Sequence, residues 1–255
     1  MLPIINRGTW SRVHAYQKML SEFMKLPGEK QIVSVGSGLD TTFFYLKLKF
    51  PKVGLKFVEL DFEEIVTKKM NIISKNATLA KMKEDAGDSY LVIICDLRDT
   101  SKLSEMFGKA KLDPKVQTFI MTECVLVYME PKHSRALVNF CGSYFENVAI
   151  LNYEMINPHD ALGKVMVENV KARGCKLLGL QEIDTIEEEE KRFTNAGFTK
   201  VKGITMLEFY NKYADEGERQ RIEKIEIFDE FEEWNMLQSH YCLVLGSKGN
   251  IPLTL

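Results

Sequence analysis

The amino-acid sequence predicts an α/β fold built on a mostly parallel sheet, with an antiparallel late strand and helical elaboration beyond the first half of the chain. Two observations support this class. In the first 150 residues, short apolar runs alternate with segments whose apolar residues recur at helical spacing. The apolar runs are nearly continuous, which is typical of parallel strands covered by helices on both faces.

The predicted elements follow in order along the chain. A helix over 9–25 is followed by the first strand, and this strand ends at Gly36-Ser37-Gly38. Asp40 and Thr41 then favour the start of the next helix. Pro131 favours another helix start, because proline suits a first helical position. The predicted strands cover residues 31–35, 55–60, 90–95, 116–122, 148–153 and 240–246. Further helices are predicted over residues 41–49, 63–75, 101–110, 160–173 and 187–196. Residues 198–235 form a segment of mixed pattern, to which we assign no single type of element.

Composition and charge exclude several classes of protein. The chain has 255 residues, of which 45% are apolar and 27% charged, which is typical of a globular protein. Its 34 Lys and Arg nearly balance 36 Asp and Glu, which disfavours a protein that coats nucleic acid, although residues 1–83 have a basic excess. The sequence contains no apolar stretch typical of a membrane-spanning helix, and its start does not resemble a secretion signal.

Cysteine and histidine are too scattered to indicate a structural site. The five cysteines form no C-x-x-C pair, and the four histidines form no H-E-x-x-H motif. We therefore expect no disulfide framework, no metal, and a cytoplasmic location.

Polar residues stand at the ends of the first two predicted strands, and the carboxyl ends of parallel strands meet at one edge of a sheet. The glycines of Gly36-Ser37-Gly38 would let a ligand approach the backbone, although a plain tight turn has the same pattern. Asp61 ends the second strand and could bind both hydroxyls of a ribose, with Glu59 as the competing candidate. Thr41 replaces the third glycine of a pyrophosphate-binding turn, which disfavours such a cofactor.

The third and fourth strands also end in acids. Asp96 could accept a hydrogen bond from the exocyclic amine of an adenine, while Leu97 packs on the adenine ring. Alternatively, Asp96 could cap the helix that begins near Ser101. Glu123 lies in an apolar segment, where it needs either a cationic ligand or an arginine of the protein as its partner. A ligand with a ribose, an amine and a positive centre fits these acids, which favours S-adenosylmethionine over NAD.

The motifs of known hydrolases and nucleotide-phosphate enzymes do not occur, but a resemblance to one family does. From about residue 3 to residue 248 the sequence resembles the leucine carboxyl methyltransferase family. The matching segments are Asn6-Arg7-Gly8, Arg12-Val13-His14, residues 35–43, 58–62, 96–99, 123–129, 152–154 and 240–242. The runs G-x-G-x-D-T-T-F and E-C-V-L-V-Y-M are the most specific.

The resemblance implies a Rossmann-like methyltransferase sheet with S-adenosylmethionine as the cofactor. Gly36 would lie against the amino-acid moiety of the cofactor, and Asp61 would hold its ribose. Asp96 and Leu97 would contact the adenine, and Glu123 would bind the methionine amine.

The resemblance also implies the reaction and two catalytic residues. The substrate would be the C-terminal leucine carboxylate of the protein phosphatase type 2A catalytic subunit. Arg12, otherwise readable as a surface arginine, would bind the cofactor carboxylate and face the substrate carboxylate, with Tyr128 near the reacting centre. A carboxylate is ionised at pH 7, so no general base is needed.

Two alternatives stay open. A relative that binds the phosphatase without turnover would keep the same fold. The sister methyltransferase that acts on a hypermodified guanosine in transfer RNA shares this domain, but continues into a β-propeller. We expect a monomer that binds neither nucleic acid nor membrane.

Family members differ from this sequence in two places. They begin with several dozen further residues, which form helices over the cofactor and supply a lysine, and they carry extra strands in the region between Asn76 and Tyr90. We expect one methyltransferase domain over 1–255, with a cofactor-binding half (1–155), a substrate-side elaboration (156–235), and a closing strand and tail (236–255).

Overall fold

Seven strands form one sheet in the computed structural model, which describes residues 2–255; Met1, the first residue of the predicted domain, lies outside them. The strands are β1 (Lys30–Val35), β2 (Leu55–Asp61), β3 (Tyr90–Ile94), β4 (Gln117–Glu123), β5 (Val148–Met155), β6 (Lys200–Thr205) and β7 (Tyr241–Lys248). Their order across the sheet is β3-β2-β1-β4-β5-β7-β6. Strands β1 to β5 are mutually parallel, and β7 is antiparallel to both of its neighbours.

The predicted fold class is confirmed, but the sequence did not predict β6. This strand lies in the segment that the sequence leaves as mixed, and it pairs with β7. Its residues alternate between exposed and partly buried positions up to the buried Ile204, which is a weak pattern to recognise from sequence.

Helices cover both faces of the sheet. They are α1 (Pro3–Lys25), α2 (Thr42–Lys49), α3 (Glu63–Lys75), α4 (Ala77–Ala86), α5 (Thr100–Lys109), α6 (Pro131–Tyr144), α7 (Ala161–Ala172), α8 (Ile186–Asn195), α9 (Met206–Glu208), α10 (Glu216–Glu223) and α11 (Phe231–Gln238). Short 3₁₀ turns cover Gly87–Ser89, Leu126–Tyr128 and Leu178–Gln181, and a π-helical turn over Phe209–Tyr213 follows α9. None of the helices within residues 2–255 combines the length and the apolar character needed to cross a membrane.

Within the first half of the chain, two helices differ from the sequence prediction by more than one residue. Helix α1 begins at Pro3 rather than at Thr9, because the fixed φ of proline and its missing N–H suit the first helical turn. Helix α4 occupies the short connection before β3, and the side chain of Asn76 caps it by accepting from the Leu79 N–H at 3.1 Å.

The strands separate two apolar cores. Successive side chains of a strand point to opposite faces, so that Ile32 packs with α1 and α2, whereas Val33 packs with α5 and α6. All six residues of β1 and all eight of β5 are buried, which explains their nearly continuous apolar sequences.

The order of the strands reverses at β1, which lies between β2 and β4. The register places Val35 beside both Leu60 and Thr122, so that Gly36, Asp61 and Glu123 each follow by one residue. Ligands of open α/β sheets bind in the crevice at such a point.

Candidate functional site

Two cavities lie at the carboxyl ends of the strands and share Gly36 and Gly38. The Asp61 cavity has a volume of about 460 Å³, and the Glu123 cavity has about 330 Å³. The Asp61 cavity is lined by Gly36, Asp61, Leu97 and Tyr128, among others, and the Glu123 cavity by Arg12, Gly36, Ser37, Asp40 and Glu123. The structure thus brings together six of the seven residues predicted from the sequence, all except Asp96. Among the described residues, no three His, Cys, Asp or Glu side chains are placed to hold a metal ion.

The turn after β1 passes close beneath the segment that follows β4. Gly36 has a φ of 68°, and its N–H donates to the Leu60 carbonyl oxygen at 2.8 Å. A Cβ atom on Gly36 would lie 2.5 Å from Cγ2 of Val125. Glycine is therefore required at this position both by the backbone conformation and by the close packing of Val125.

Asp61 holds the glycine turn and also lines the cavity. One of its carboxylate oxygens accepts from the Gly38 N–H at 2.7 Å, and the other accepts from the Phe62 N–H at 2.8 Å. The competing candidate, Glu59, is fully buried away from both cavities. It accepts a hydrogen bond from the Tyr90 hydroxyl at 3.0 Å and forms an ion pair with Lys69. Its burial raises its pKa.

Asp96 does not line the cavity, although Leu97 and Arg98 do. The Arg98 guanidinium donates to both carboxylate oxygens of Asp96, with contacts of 2.6 and 2.9 Å, and these hydrogen bonds lower the pKa of Asp96. The alternative role of Asp96 as a helix cap is wrong, because Asp99 caps α5 by accepting from the Lys102 N–H at 3.0 Å. The sequence reasoning missed Arg98, whose signal was its position two residues after an acid at a strand end.

Arg12 and Glu123 form an ion pair at the mouth of the Glu123 cavity. Nε of Arg12 lies 3.1 Å from Oε1 of Glu123, but this contact is not aligned as a hydrogen bond, and Nε has no other hydrogen-bond partner. Burial raises the pKa of Glu123, and the charge of Arg12 partly opposes this. The sequence left two partners open for Glu123, a cationic ligand or an arginine of the protein; the structure supplies an arginine.

Two further polar atoms at this cavity are buried without hydrogen bonds. They are the hydroxyl oxygen of Ser37 and one carboxylate oxygen of Asp40, whose other oxygen accepts from the Thr42 hydroxyl at 2.9 Å. Buried polar groups are rarely left unpaired. The cavity therefore presents donors and acceptors to whatever binds there.

Tyr16 fixes the position of Arg12, and the sequence analysis did not single it out. The two residues are one helical turn apart on α1, and thus lie on the same side of the helix. The Tyr16 hydroxyl donates to the Thr122 carbonyl oxygen at 2.6 Å, next to Glu123. This hydrogen bond attaches α1 to the end of β4 and presents Arg12 to Glu123.

Glu154 is a second residue whose role only the structure shows. Its side chain is fully buried, and one oxygen accepts from the N–H groups of Val125, Leu126 and Val127 at 3.1, 2.8 and 3.2 Å. These bonds hold the 3₁₀ turn that carries Tyr128, whose hydroxyl pKa is raised by partial burial.

Comparisons with known proteins agree with this geometry. A family model described as "Leucine carboxyl methyltransferase" matches residues 1–142. The leucine carboxyl methyltransferase 1 homolog of Arabidopsis thaliana is 40% identical, covering 94% of this chain and 76% of that protein. Leucine carboxyl methyltransferase 1 of Bos taurus is 34% identical over 99% of this chain and 80% of its own length. The tRNA wybutosine-synthesizing protein 4 of Homo sapiens is 30% identical over 97% of this chain, which spans 39% of that longer protein.

Solved structures share the fold at low sequence identity. A putative methyltransferase from Thermobifida fusca superposes with a TM-score of 0.63 at 15% identity, covering 93% of this chain and 81% of that one. Phosphoethanolamine N-methyltransferase 2 of Haemonchus contortus, solved with S-adenosyl-L-methionine, has a TM-score of 0.55 at 14% identity, covering 92% of this chain and 52% of that one. The chain therefore belongs to the leucine carboxyl methyltransferase family and is an S-adenosylmethionine-dependent methyltransferase.

Proposed function

We propose that this protein methylates the C-terminal leucine carboxylate of the protein phosphatase type 2A catalytic subunit. Membership of the family supports a leucine carboxylate as the acceptor, and so do the names of the relatives. The observation that carries the proposal is the Arg12–Glu123 pair, which places a cation and an anion side by side at the glycine turn.

The Glu123 cavity fits the methionine end of the cofactor. That end carries a carboxylate and an ammonium group, and the cavity offers partners for both. The unpaired donors Arg12 and Ser37 suit the carboxylate, while Glu123 and the unpaired oxygen of Asp40 suit the ammonium. Gly36, which has no side chain, leaves room for this moiety.

The Asp61 cavity suits the nucleoside end. Each carboxylate oxygen of Asp61 accepts one backbone N–H and keeps a free acceptor site, so that the side chain can also accept from two ribose hydroxyls. Leu97 offers an apolar surface to the adenine. We place Asp96 near the adenine amine. Its carboxylate could accept a hydrogen bond from that amine while it stays paired with Arg98.

The chemistry needs little more than correct placement. When bound, S-adenosylmethionine supplies a methyl group on a positively charged sulfur, open to attack by a carboxylate oxygen. The substrate carboxylate is already ionised at neutral pH, so no residue must remove a proton. Arg12, while it binds the cofactor carboxylate, also faces the substrate carboxylate at the cavity mouth, and catalysis comes from orientation and partial exclusion of water.

Tyr128 lies beside the acceptor end in this proposal. Its side chain is partly exposed at the Asp61 cavity, and the turn that carries it is held by Glu154. Its raised pKa keeps the hydroxyl protonated at neutral pH, so it donates a hydrogen bond and does not act as a base. The ester product has one negative charge fewer than the substrate.

A second candidate is methylation of transfer RNA, which the similarity to tRNA wybutosine-synthesizing protein 4 favours. The identity to those proteins is slightly lower than that to the carboxyl methyltransferases, and this chain spans 39% of their length against 76–80%. Carboxyl methylation is therefore the better supported proposal.

The test is transfer of isotopically labelled methyl from S-adenosylmethionine to the purified phosphatase catalytic subunit. We expect base-labile label on the complete subunit and none on a subunit without its terminal leucine. Arg12→Ala should reduce transfer by about 100-fold, as expected when a reacting group loses its orientation. Arg135→Ala is the matched control, because Arg135 pairs with Glu182 on the surface and touches neither cavity.

Label on the truncated subunit, or equal transfer by Arg12→Ala, would contradict the proposal. Label on transfer RNA alone would establish the second candidate. Cofactor binding without label on either acceptor would indicate the non-catalytic phosphatase-binding relative.

A further inference from the structure

A third cavity lies outside the proposed cofactor site, between α7 and the 3₁₀ turn Leu178–Gln181. It has a volume of about 580 Å³, and we call it the α7 groove. Its apolar lining is aliphatic and includes Val167, Leu177, Leu178 and Leu180. This lining contains no Phe, Tyr or Trp on which a nucleic-acid base could stack.

The groove is basic at its rim. Lys164, Lys171 and Lys176 line it, and none of them has an acidic partner within 4.0 Å among the described residues. Glu168 contributes one acid to the lining, and His159, which also lines the groove, pairs with Asp184 at 2.8 Å. The groove therefore carries a net positive charge, and its three ammonium groups are free to bind anions.

The groove is held in place by the sheet. Asp160 caps α7 by accepting from the Gly163 N–H at 2.7 Å, and its carboxylate also contacts His240 at 2.9 Å, just before β7. Leu177 and Leu180 form an apolar cluster with Val127 and Met155. The groove is thus a packed part of the fold.

The groove also adjoins the proposed acceptor end. A Cβ atom on Gly179 would lie 2.9 Å from Cα of Val127, so the two 3₁₀ turns are in direct contact. Tyr128 follows Val127, and Arg173 and Cys175 are close enough to influence its pKa. The groove and the cofactor cavities share the edge of the sheet where β4 and β5 end.

A substrate whose terminal carboxylate is methylated must enter with that carboxylate first. Its preceding residues then leave along the protein surface, and an extended chain advances about 3.3 Å per residue. Near Tyr128 the surface leads to the α7 groove. Lysine charges above an aliphatic floor complement acidic side chains carried on a partly apolar peptide.

We infer that the α7 groove binds an acidic, partly apolar peptide segment of the protein substrate, a few residues before its methylated carboxylate. This inference rests on the proposed function, and it names a feature that the substrate should have beyond its terminal leucine.

The test compares two fluorescein-labelled peptides that end in leucine, with the 255-residue chain saturated with S-adenosylhomocysteine. One peptide carries glutamates a few positions before its end, and the other carries glutamines there. Lys171→Glu/Lys176→Glu should weaken binding of the glutamate peptide about five- to tenfold, and binding of the glutamine peptide less than twofold. Lys52→Glu/Lys115→Glu is the control, because it changes the net charge equally at exposed positions just before β2 and β4, at the opposite edge of the sheet.

Equal affinity of both peptides for the unmodified chain would overturn the inference, and so would an equal loss in the control. Tighter binding of a short single-stranded RNA to the groove would assign it to nucleic acid instead. Unchanged cofactor affinity in both double variants establishes that they are folded.

Failure of the inference can be told apart from failure of the proposed function. Suppose that a glutamate peptide with an amidated C-terminus binds the unmodified chain more tightly than the lysine variant, but no phosphatase subunit is methylated. The peptide-binding role of the groove is then supported, and the proposed function is wrong. If the lysine variant methylates the subunit normally and binds the glutamate peptide normally, the proposed function is supported and the inference is wrong.

Discussion

Arg12 and Glu123 belong to opposite parts of the cofactor-binding half, and their pairing decides the charge of the proposed site. Both side chains are partly exposed, and such ion pairs contribute little to stability, because water screens them and side-chain entropy opposes them. Their contact is also unaligned. A ligand with its own carboxylate and ammonium can therefore replace the pair without losing a strong interaction.

The raised pKa of Glu123 leads to a pH-dependent affinity for the cofactor. Because burial raises this pKa, Glu123 takes up a proton at a higher pH than free glutamate does. Pairing with an ammonium group needs the ionised form, so the affinity for S-adenosylmethionine should begin to fall well above the ordinary pKa of a glutamate as the pH is lowered from neutrality. Calorimetric titration at a series of pH values from neutrality downwards measures the effect.

Glu123→Gln should weaken cofactor binding at neutral pH by about tenfold or more, because a charge-assisted bond is lost. It should also remove the pH dependence of the affinity. Glu105→Gln is the control, since Glu105 pairs with Lys109 on the surface of α5. A pH dependence that persists in Glu123→Gln would show that another group is responsible.

The segment from Cys124 to Met129 connects β4 to α6 and forms one wall of the Asp61 cavity. Cys124 has a φ of 51°, which is unusual for a residue with a side chain. The three N–H groups that follow it all donate to Glu154 on β5. The sharp bend and the buried acceptor together give this wall a defined shape, although it contains no long helix or strand.

Glu154 should make stability depend on pH. Its pKa is raised to about 8 by burial and by the nearby charge of Glu189. The charge of Arg192 and the hydrogen bonds from backbone N–H groups lower this pKa, but by less. The native state therefore binds a proton that the unfolded state releases near its ordinary pKa of 4.5. The resulting stabilisation is present below the unfolded pKa and is lost as the pH rises towards about 8.

Glu154→Gln carries no charge and can still accept from the three N–H groups. Its free energy of unfolding should therefore rise relative to that of the unmodified protein as the pH increases from about 5.5 to about 8, by at most about 1.4 kcal/mol per pH unit. Urea unfolding at several pH values measures this difference. Glu130→Gln should show no such trend, because Glu130 is exposed and pairs with Lys132. A constant difference for Glu154→Gln would contradict the prediction.

In the whole molecule, the last strand lies inside the sheet. Strand β7 pairs with β5 on one side and β6 on the other, so β6 joins the sheet through the end of the chain. Both apolar cores include residues of β7, namely Leu243 in one and Val244 in the other. Residues 156–235 cannot pack fully before β7 is in place.

This arrangement favours one cooperative unit, as proposed for the single domain. Trp10 on α1 contacts Tyr210 by its edge, and Tyr210 contacts Trp234 on α11 in the same way. We expect unfolding in urea, followed by tryptophan fluorescence and by far-ultraviolet circular dichroism, to give coincident transitions. Trp10→Phe restricts the fluorescence to Trp234 and should leave that coincidence intact. Two separate transitions would show that the elaboration folds independently.

Much of the fold and part of the site could be predicted from local sequence. Periodicity located the first five strands, because strands buried on both faces require apolar runs. The glycine turn and Asp61 were predictable because ligand groups of such sheets collect at strand ends. Strand β6 was not predictable, since its alternation is weak and its partner lies far along the chain.

The sequence by itself determined the parallel sheet, the glycine turn and the family, because these depend on residue type and spacing over a few neighbours. The tertiary structure shows why Asp61 lines the cavity and Glu59, two residues earlier on the same strand, does not. Lys69 and Tyr90 pair with Glu59 from other elements, and this leaves Asp61 at the cavity. The tertiary structure also decided that Arg12 pairs with Glu123 and that Glu154 holds the turn that carries Tyr128. Partners of buried charges are chosen by packing between distant segments, and the local pattern of a sequence does not contain that information.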